Sequence, residues 1–158
     1  MNYAEEIGKI LLEKNLKIST TESCTGGLLS SKLTDISGSS AYITLNLVTY
    51  ANEAKEKFIG VSPKTLAEKG AVSAECSYEM AKGLCSISKS DICVSTTGIA
   101  GPTGGTSNKP VGLMYSTIYS KDKSQTYKIL FDSTTPRVKM KELFTEEVLK
   151  NIYEFIKP

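Results

Sequence analysis

Residues 38–55 read GSSAYITLNLVTYANEAK. The stretch holds the parts of a hydrolytic site: Ser39 and Ser40 after a glycine, Tyr50 at the end of an apolar run, and Lys55 five residues beyond. A serine hydroxyl is a weak nucleophile at neutral pH and needs a proton acceptor. Imidazole is the usual one, and the chain contains no histidine. A carboxylate, an uncharged lysine, or no covalent catalysis remains. The ordinary lysine pKa is about 10.4, so service near pH 7 requires a fall of roughly three units, or about 4 kcal/mol. A dry pocket or a cationic neighbour supplies such a push. Lys55 follows an apolar strand and lies near Tyr50, whose phenol is placed to relay a proton. The residue pattern leaves a second reading open. A lysine in NEAKEK also suits a solvated helix face, and Ser40 also suits a turn or a cap.

Two glycine-bearing loops, ESCTGG (22–27) and TGIAGPTGG (97–105), each follow a predicted strand. In open α/β sheets ligands gather beyond the carboxyl ends of strands. The first loop runs into a predicted helix, whose free N–H groups favour an anion such as phosphate. The candidate binding residues are therefore Ser23, Thr25, Gly26 and Gly27, then Thr97, Gly98, Ile99, Ala100 and Gly101. Ser23 and Thr25 are the expected phosphate ligands, and Cys24 a structural residue. Neither loop carries GKS, GKT or GxGxxG, and two tight glycine turns are the plainer alternative. Arg137 is the only arginine among 19 basic residues, hence the sole candidate for a bidentate clamp on phosphate or carboxylate.

These residues need elements to hold them. Apolar spacing predicts helices over 3–15, 28–36, 52–60, a segment opened by Ser62-Pro63, a segment capped by Ser73, and a long helix after Thr135-Pro136. Strands are predicted over 16–22, 41–50, 91–97, 111–120 and 124–131, the last two joined as a hairpin by the charged turn KDK. Strands separated by helices give an α/β class, and the hairpin makes the sheet mixed. A length of 158 residues predicts one domain spanning 1–158. The net charge of +2 speaks against nucleic acid as a partner. No segment approaches the roughly 20 apolar residues of a membrane helix, and the N-terminus lacks a signal-peptide pattern, so a cytoplasmic location is expected. Cys24, Cys76, Cys85 and Cys93 form no CxxC pair and read as small thiols in a reducing compartment; no metal is expected. A symmetric dimer is the base-rate expectation for a small α/β enzyme.

TTESCTGG (20–27), TDISGSSAY (34–42), VTYANEAKEKFIGV (48–61), LAEKGAVS (66–73) and TGIAGPTGG (97–105) with KPVG (109–112) together resemble the CinA C-terminal domain family. The match runs in order over nearly the whole chain, is weakest after Ser120, and looks like the stand-alone form. The resemblance implies a three-layer α/β/α sandwich with a mixed sheet of about five strands. It also implies hydrolysis of nicotinamide mononucleotide to nicotinic acid mononucleotide and ammonia, by a serine–lysine dyad without a cofactor. On matching positions it implies Ser40 as nucleophile, Lys55 as base, Tyr50 as assistant and Thr97 in the site. The family's F-x-G-D-R segment reads here Phe131-Asp132-Ser133-Thr134-Thr135-Pro136-Arg137, with the arginine two residues late. That departure keeps two alternatives in view: a nucleotide-binding or partner-binding module without turnover, and a serine–lysine amidase for another amide.

Overall fold

The apolar stripe at the N-terminus does form a helix. In the computed structural model, which describes residues 1–158, it is α1 (Tyr3–Lys14), capped by the Asn2 side chain and ended by Asn15 in the left-handed region. The chain continues through β1 (Ile18–Glu22), α2 (Leu28–Thr34), a 3-10 turn (Ser39–Ala41) and β2 (Ile43–Val48). Three helices follow, α3 (Asn52–Ile59), α4 (Pro63–Glu68) and α5 (Ala74–Ser88). Then come β3 (Ile92–Gly98), the hairpin β4 (Leu113–Tyr119) and β5 (Ser124–Leu130), and α6 (Arg137–Ile156). Ser73 caps α5 as its position predicts, its hydroxyl accepting from the Cys76 N–H at 3.1 Å. Ser62 stands at the start of α4 without a side-chain cap. Residues 37–40, between α2 and β2, lie partly in the 3-10 turn.

The strand order is β2-β1-β3-β4-β5. β1 runs parallel to both β2 and β3, pairing Glu22 with Val48 on one side and with Thr96 on the other. β4 and β5 are antiparallel additions. Helices α1, α2 and α6 cover one face and α3, α4 and α5 the other, so the domain is a three-layer α/β/α sandwich with a mixed sheet. The larger core joins Ile7, Leu11, Leu29 and Leu33 to Phe144, Val148 and Ile152 of α6; the smaller joins Ile59, Val61, Met80 and Leu84. No helix is long and apolar enough to cross a membrane.

The central strands are buried on both faces and yet rich in hydroxyls. An unpaired buried hydroxyl costs about 1–3 kcal/mol, so these must find each other. Thr21 pairs with Thr49 at 2.7 Å, Thr25 with Thr96 at 2.9 Å, and Ser77 with both Ser95 and Thr117 at 3.0 and 2.8 Å. The cysteines depart from the expectation of four thiols. Cys85 and Cys93 form a disulfide that joins the last turn of α5 to β3; Cys24 and Cys76 are free and buried. A separation of eight residues carries no sign that α5 returns to lie beside the next strand.

Candidate active site

Parallel strands put their carboxyl ends together. Ser23 directly follows β1, Tyr50 and Lys55 follow β2, and Thr97 and Gly98 close β3. These ends surround a cavity of about 240 Å³, whose lining includes Ser23, Cys24, Tyr50, Lys55, Thr97, Gly98, Ile99, Ala100, Gly101 and Arg137. Gly101 has φ +77°, and a Cβ there would stand 2.4 Å from Val111 Cγ1, so only glycine lets this loop lie against the chain leading to β4.

Lys55 sits on the buried face of α3 with Ile59 one turn later, whereas Lys57 points to solvent. Its side chain is 1% exposed. The amine Nζ lies 2.8 Å from the Thr49 carbonyl, 2.8 Å from the Tyr50 carbonyl and 3.1 Å from Ser23 Oγ. No carboxylate pairs with it. Burial pushes the amine below its ordinary pKa, opposed by the nearby thiols of Cys76 and Cys24. Those thiols are weak counter-charges, because burial pushes Cys24 up to about 12 and Cys76 up to about 11. Two of the three partners of Nζ are carbonyls, which only accept. An uncharged amine has two N–H groups for those carbonyls, and its lone pair then faces Ser23, the one partner with a proton to give.

Ser40 is therefore corrected as the partner of Lys55. It lies exposed in the 3-10 turn that precedes β2, while Lys55 follows the other end of the same strand. Six extended residues separate those ends by about 20 Å. The serine brought to Lys55 is Ser23, which the sequence reading placed among phosphate ligands.

The helix start after ESCTGG is also not open to an anion. Glu22, fully buried, already accepts the N–H groups of Gly27, Leu29 and Ser30. Thr25 is buried and donates to the same carboxylate at 2.6 Å. Gly26 and Gly27 line a separate cleft with Lys141 and Val138, away from Lys55. Thr25, Gly26 and Gly27 are thus set apart from the cavity that holds Ser23.

Tyr50 meets Lys55 through its carbonyl, not its phenol. The phenol oxygen instead accepts from Arg137 Nη2 at 3.1 Å, and Nη1 of the same guanidinium donates to the Gly101 carbonyl at 2.7 Å. Arg137, the first residue of α6, so reaches the cavity mouth despite its late position in the segment. Thr97 Oγ1 donates to the Ala71 carbonyl at 2.7 Å and fixes the back wall. The N–H groups of Ala100 and Gly101 donate to no acceptor in the protein. Glu22 is the residue that sequence reading missed. Its signal was the absence of any capping side chain at Gly27, since a helix start must satisfy its N–H groups somewhere.

A larger cleft of about 840 Å³ lies at the opposite end of the sheet, lined by Lys14, Lys82, Lys89, Lys121, Lys123 and Lys157 among others. Three helices end there, and Lys14 and Lys123 donate to the Ile156 and Phe155 carbonyls at the end of α6. Its charge offsets helix carbonyls, and it assembles no nucleophile with a base.

The CinA C-terminal domain model matches residues 1–156. A CinA-like protein of Chloroherpeton thalassium is 46% identical over 99% of this chain and 38% of its own length. One of Shewanella pealeana is 52% identical over 76% of this chain and 28% of its own. The chain thus spans about a third of the length of these relatives. Among solved structures, the competence/damage inducible protein CihA from Agrobacterium tumefaciens superposes with a TM-score of 0.89 at 34% identity, covering 96% of this chain and 94% of that one. The competence or damage-inducible protein from Enterobacter asburiae gives 0.93 at 28%, covering 98% and 96%. Sequence, fold and coverage agree that this chain belongs to the CinA C-terminal domain family.

Proposed function

We propose that the chain is an amidohydrolase that converts nicotinamide mononucleotide to nicotinic acid mononucleotide and ammonia, with Ser23 as nucleophile and Lys55 as base. The observation that carries this is the setting of Lys55: a desolvated amine without a carboxylate partner, 2.8 Å from two carbonyls and 3.1 Å from Ser23 Oγ. The mononucleotide as substrate comes from the family resemblance; the pocket supports it by offering one guanidinium at its mouth for the phosphate.

In this mechanism Lys55 takes the Ser23 proton as Oγ bonds to the carboxamide carbon. The oxyanion lies against the free N–H groups of Ala100 and Gly101, donors of a kind typically worth about 3 kcal/mol each. Lys55 returns the proton to the departing nitrogen, the C–N bond breaks and ammonia leaves. Lys55 then draws a proton from water, whose oxygen attacks the ester, and the carboxylic acid is released as Ser23 regains its proton. The cationic pyridinium ring adds to the forces that hold Lys55 uncharged. Tyr50 positions Arg137 rather than carrying a proton to Lys55.

Ammonia release from the mononucleotide by Ser23→Ala, Lys55→Ala and Ser40→Ala tests the assignment. The first two lose at least about a hundredfold in turnover while remaining folded, and Ser40→Ala stays within about twofold. Near-normal turnover in Ser23→Ala removes the proposed nucleophile. One observation favours a second reading. Nζ has three oxygen neighbours, enough for an ammonium to donate to all three and act as a strut in a nucleotide-binding module without turnover. Calorimetric binding of the mononucleotide with no ammonia released selects that reading.

A further inference from the structure

Glu22 is the only buried carboxylate in the protein, and the mechanism gives it no proton to move. Its oxygens accept five hydrogen bonds. Thr25 Oγ1 at 2.6 Å, Gly27 N at 3.2 Å and Leu29 N at 2.9 Å reach Oε1. Ser30 N at 2.9 Å and Ser30 Oγ at 2.5 Å reach Oε2. Every donor lies in the loop or first turn that follows Glu22, and the residue does not line the cavity. Desolvating a carboxylate is expensive unless donors surround it, and here the donors and the positive end of α2 do so.

From Oε1 a chain of bonds returns to the nucleophile. A carboxylate only accepts, so Thr25 Oγ1 gives Glu22 its proton. Its oxygen is then left to accept from Thr96 Oγ1 at 2.9 Å. Thr96 Oγ1 in turn accepts from the Ser23 N–H at 3.3 Å, which also donates to the Thr96 carbonyl at 3.0 Å. The SCTGG loop is tied to Glu22 at both ends, one end through Thr25 and Thr96 and the other through Ser30. Ser23 stands at the first of those ends, its N–H fixed by Thr96 and its Oγ left to face Lys55 at 3.1 Å and the Tyr50 carbonyl at 3.4 Å.

We propose that Glu22 is a positioning residue for the nucleophile: through the Thr25–Thr96 chain and the first turn of α2 it fixes the loop that aims Ser23 Oγ at Lys55. The proposal rests on the serine–lysine reading above. Glu22→Gln keeps the side-chain volume but turns one acceptor into a donor, facing either Ser30 or the Thr25, Gly27 and Leu29 group. One anchor of the loop is then lost. A nucleophile displaced by about 1 Å costs on the order of a hundredfold in rate, so loosening one anchor costs at least about tenfold.

The test uses the full chain and a fluorophosphonate, which acylates an activated serine whatever the natural amide. Modification of Ser23 is followed by peptide mass spectrometry, alongside kcat and KM for the mononucleotide. Folded Glu22→Gln is expected to label at least about tenfold more slowly and to lose kcat by a similar factor. Its KM should stay within about twofold, because the groups lining the cavity remain. Wild-type labelling and kcat in folded Glu22→Gln overturn the proposal. So does a raised KM with unchanged kcat, which would place Glu22 in substrate binding. Should Glu22→Gln not fold, Thr25→Val and Ser30→Ala each remove one hydroxyl of the network and leave the carboxylate. Each is expected to lower kcat alone by about threefold or more, and no change in either overturns the proposal. A wild type that never labels at Ser23, with Ser23→Ala fully active, sinks the serine–lysine reading and this proposal with it. A labelled wild type with unaffected variants sinks this proposal only.

Discussion

Replacing Lys55 by methionine keeps most of the buried volume and removes the titratable amine. The absolute change in stability is a balance of opposed terms. Methionine leaves the Thr49 carbonyl without a donor, at about 1–3 kcal/mol, and the Tyr50 carbonyl with only the long bond from Ser23 Oγ at 3.4 Å, but ends the cost of burying a charged or polar amine. The pH dependence is free of that ambiguity. Burial lowers the Lys55 pKa in the folded chain, while the unfolded chain keeps the ordinary value near 10.5. Between those two values the unfolded state binds one proton more than the folded state, so stability rises with pH. The slope approaches about 1.4 kcal/mol per pH unit inside that window. It is fully developed once pH exceeds the lowered pKa and vanishes above the unfolded one. Groups remote from Lys55 cancel in the difference, and the neighbouring Cys24 and Cys76 thiols, pushed up to about 12 and about 11 by burial, stay largely protonated in the folded chain over this range. Urea unfolding of wild type and Lys55→Met from pH 7 to pH 10 should therefore show the wild type gaining on the variant as pH rises. Turnover of the wild type should rise through the lowered pKa, where the amine becomes able to accept the Ser23 proton. Parallel stability curves would mean that Lys55 carries the same charge folded and unfolded, and the general-base role would be refuted even if Lys55→Met were inactive.

Arg137 offers the pocket its one guanidinium, and charge-assisted bonds contribute about 1.5–3 kcal/mol. Arg137→Ala is expected to raise KM for the mononucleotide about tenfold or more and to leave KM for the riboside within about twofold; equal effects on both rule out a phosphate contact there. Gly83 lies where α5 crosses the end of α3, and a Cβ there would come 1.7 Å from the Ile59 carbonyl oxygen. Gly83→Ala should destabilise the fold by about 2 kcal/mol or more in chemical denaturation, and a change below about 0.5 kcal/mol would show that α3 moves freely against α5. Cys24→Ser should keep turnover within about tenfold, measured as ammonia release, because the thiol is neutral at working pH and Lys55 contacts Ser23 instead.

The periodic elements were legible because their signals are local. The stripe Ile7, Ile10 and Leu11 places a helix, the compact run DICVSTT (91–97) places a buried strand, and the KDK turn joins β4 to β5 as a hairpin. Non-local facts were not legible in this way. The Cys85–Cys93 bridge depends on α5 folding back beside β3. The burial of Glu22 depends on α2 presenting its first turn to the end of β1. The reach of Arg137 depends on the start of α6 lying over the 99–104 loop, a geometry that an ungapped comparison of F-x-G-D-R cannot contain.

The serine partner of Lys55 is the instructive case, because strand direction alone decides between the two serines. β1 and β2 are parallel, so whatever follows β1 meets whatever follows β2, and whatever precedes β2 lies at the far end of the sheet. Lys55 follows β2. A serine partner for it had to follow a parallel neighbour, and Ser23 does; Ser40 precedes β2 and is excluded however well its spacing from Lys55 reads along the chain. Proximity in sequence across one extended strand is distance in space, by about 3.3 Å for each residue. The two glycine loops carried the same information from the start, since both sit beyond carboxyl ends of parallel strands, where such sheets gather their chemistry. Placing Ser23 beside Lys55 also changes what the first loop is for. With the helix start already filled by Glu22, the ESCTGG segment presents the Ser23 hydroxyl to Lys55, and in the proposed reaction the anionic end of the nucleotide falls to the Arg137 guanidinium on the opposite rim.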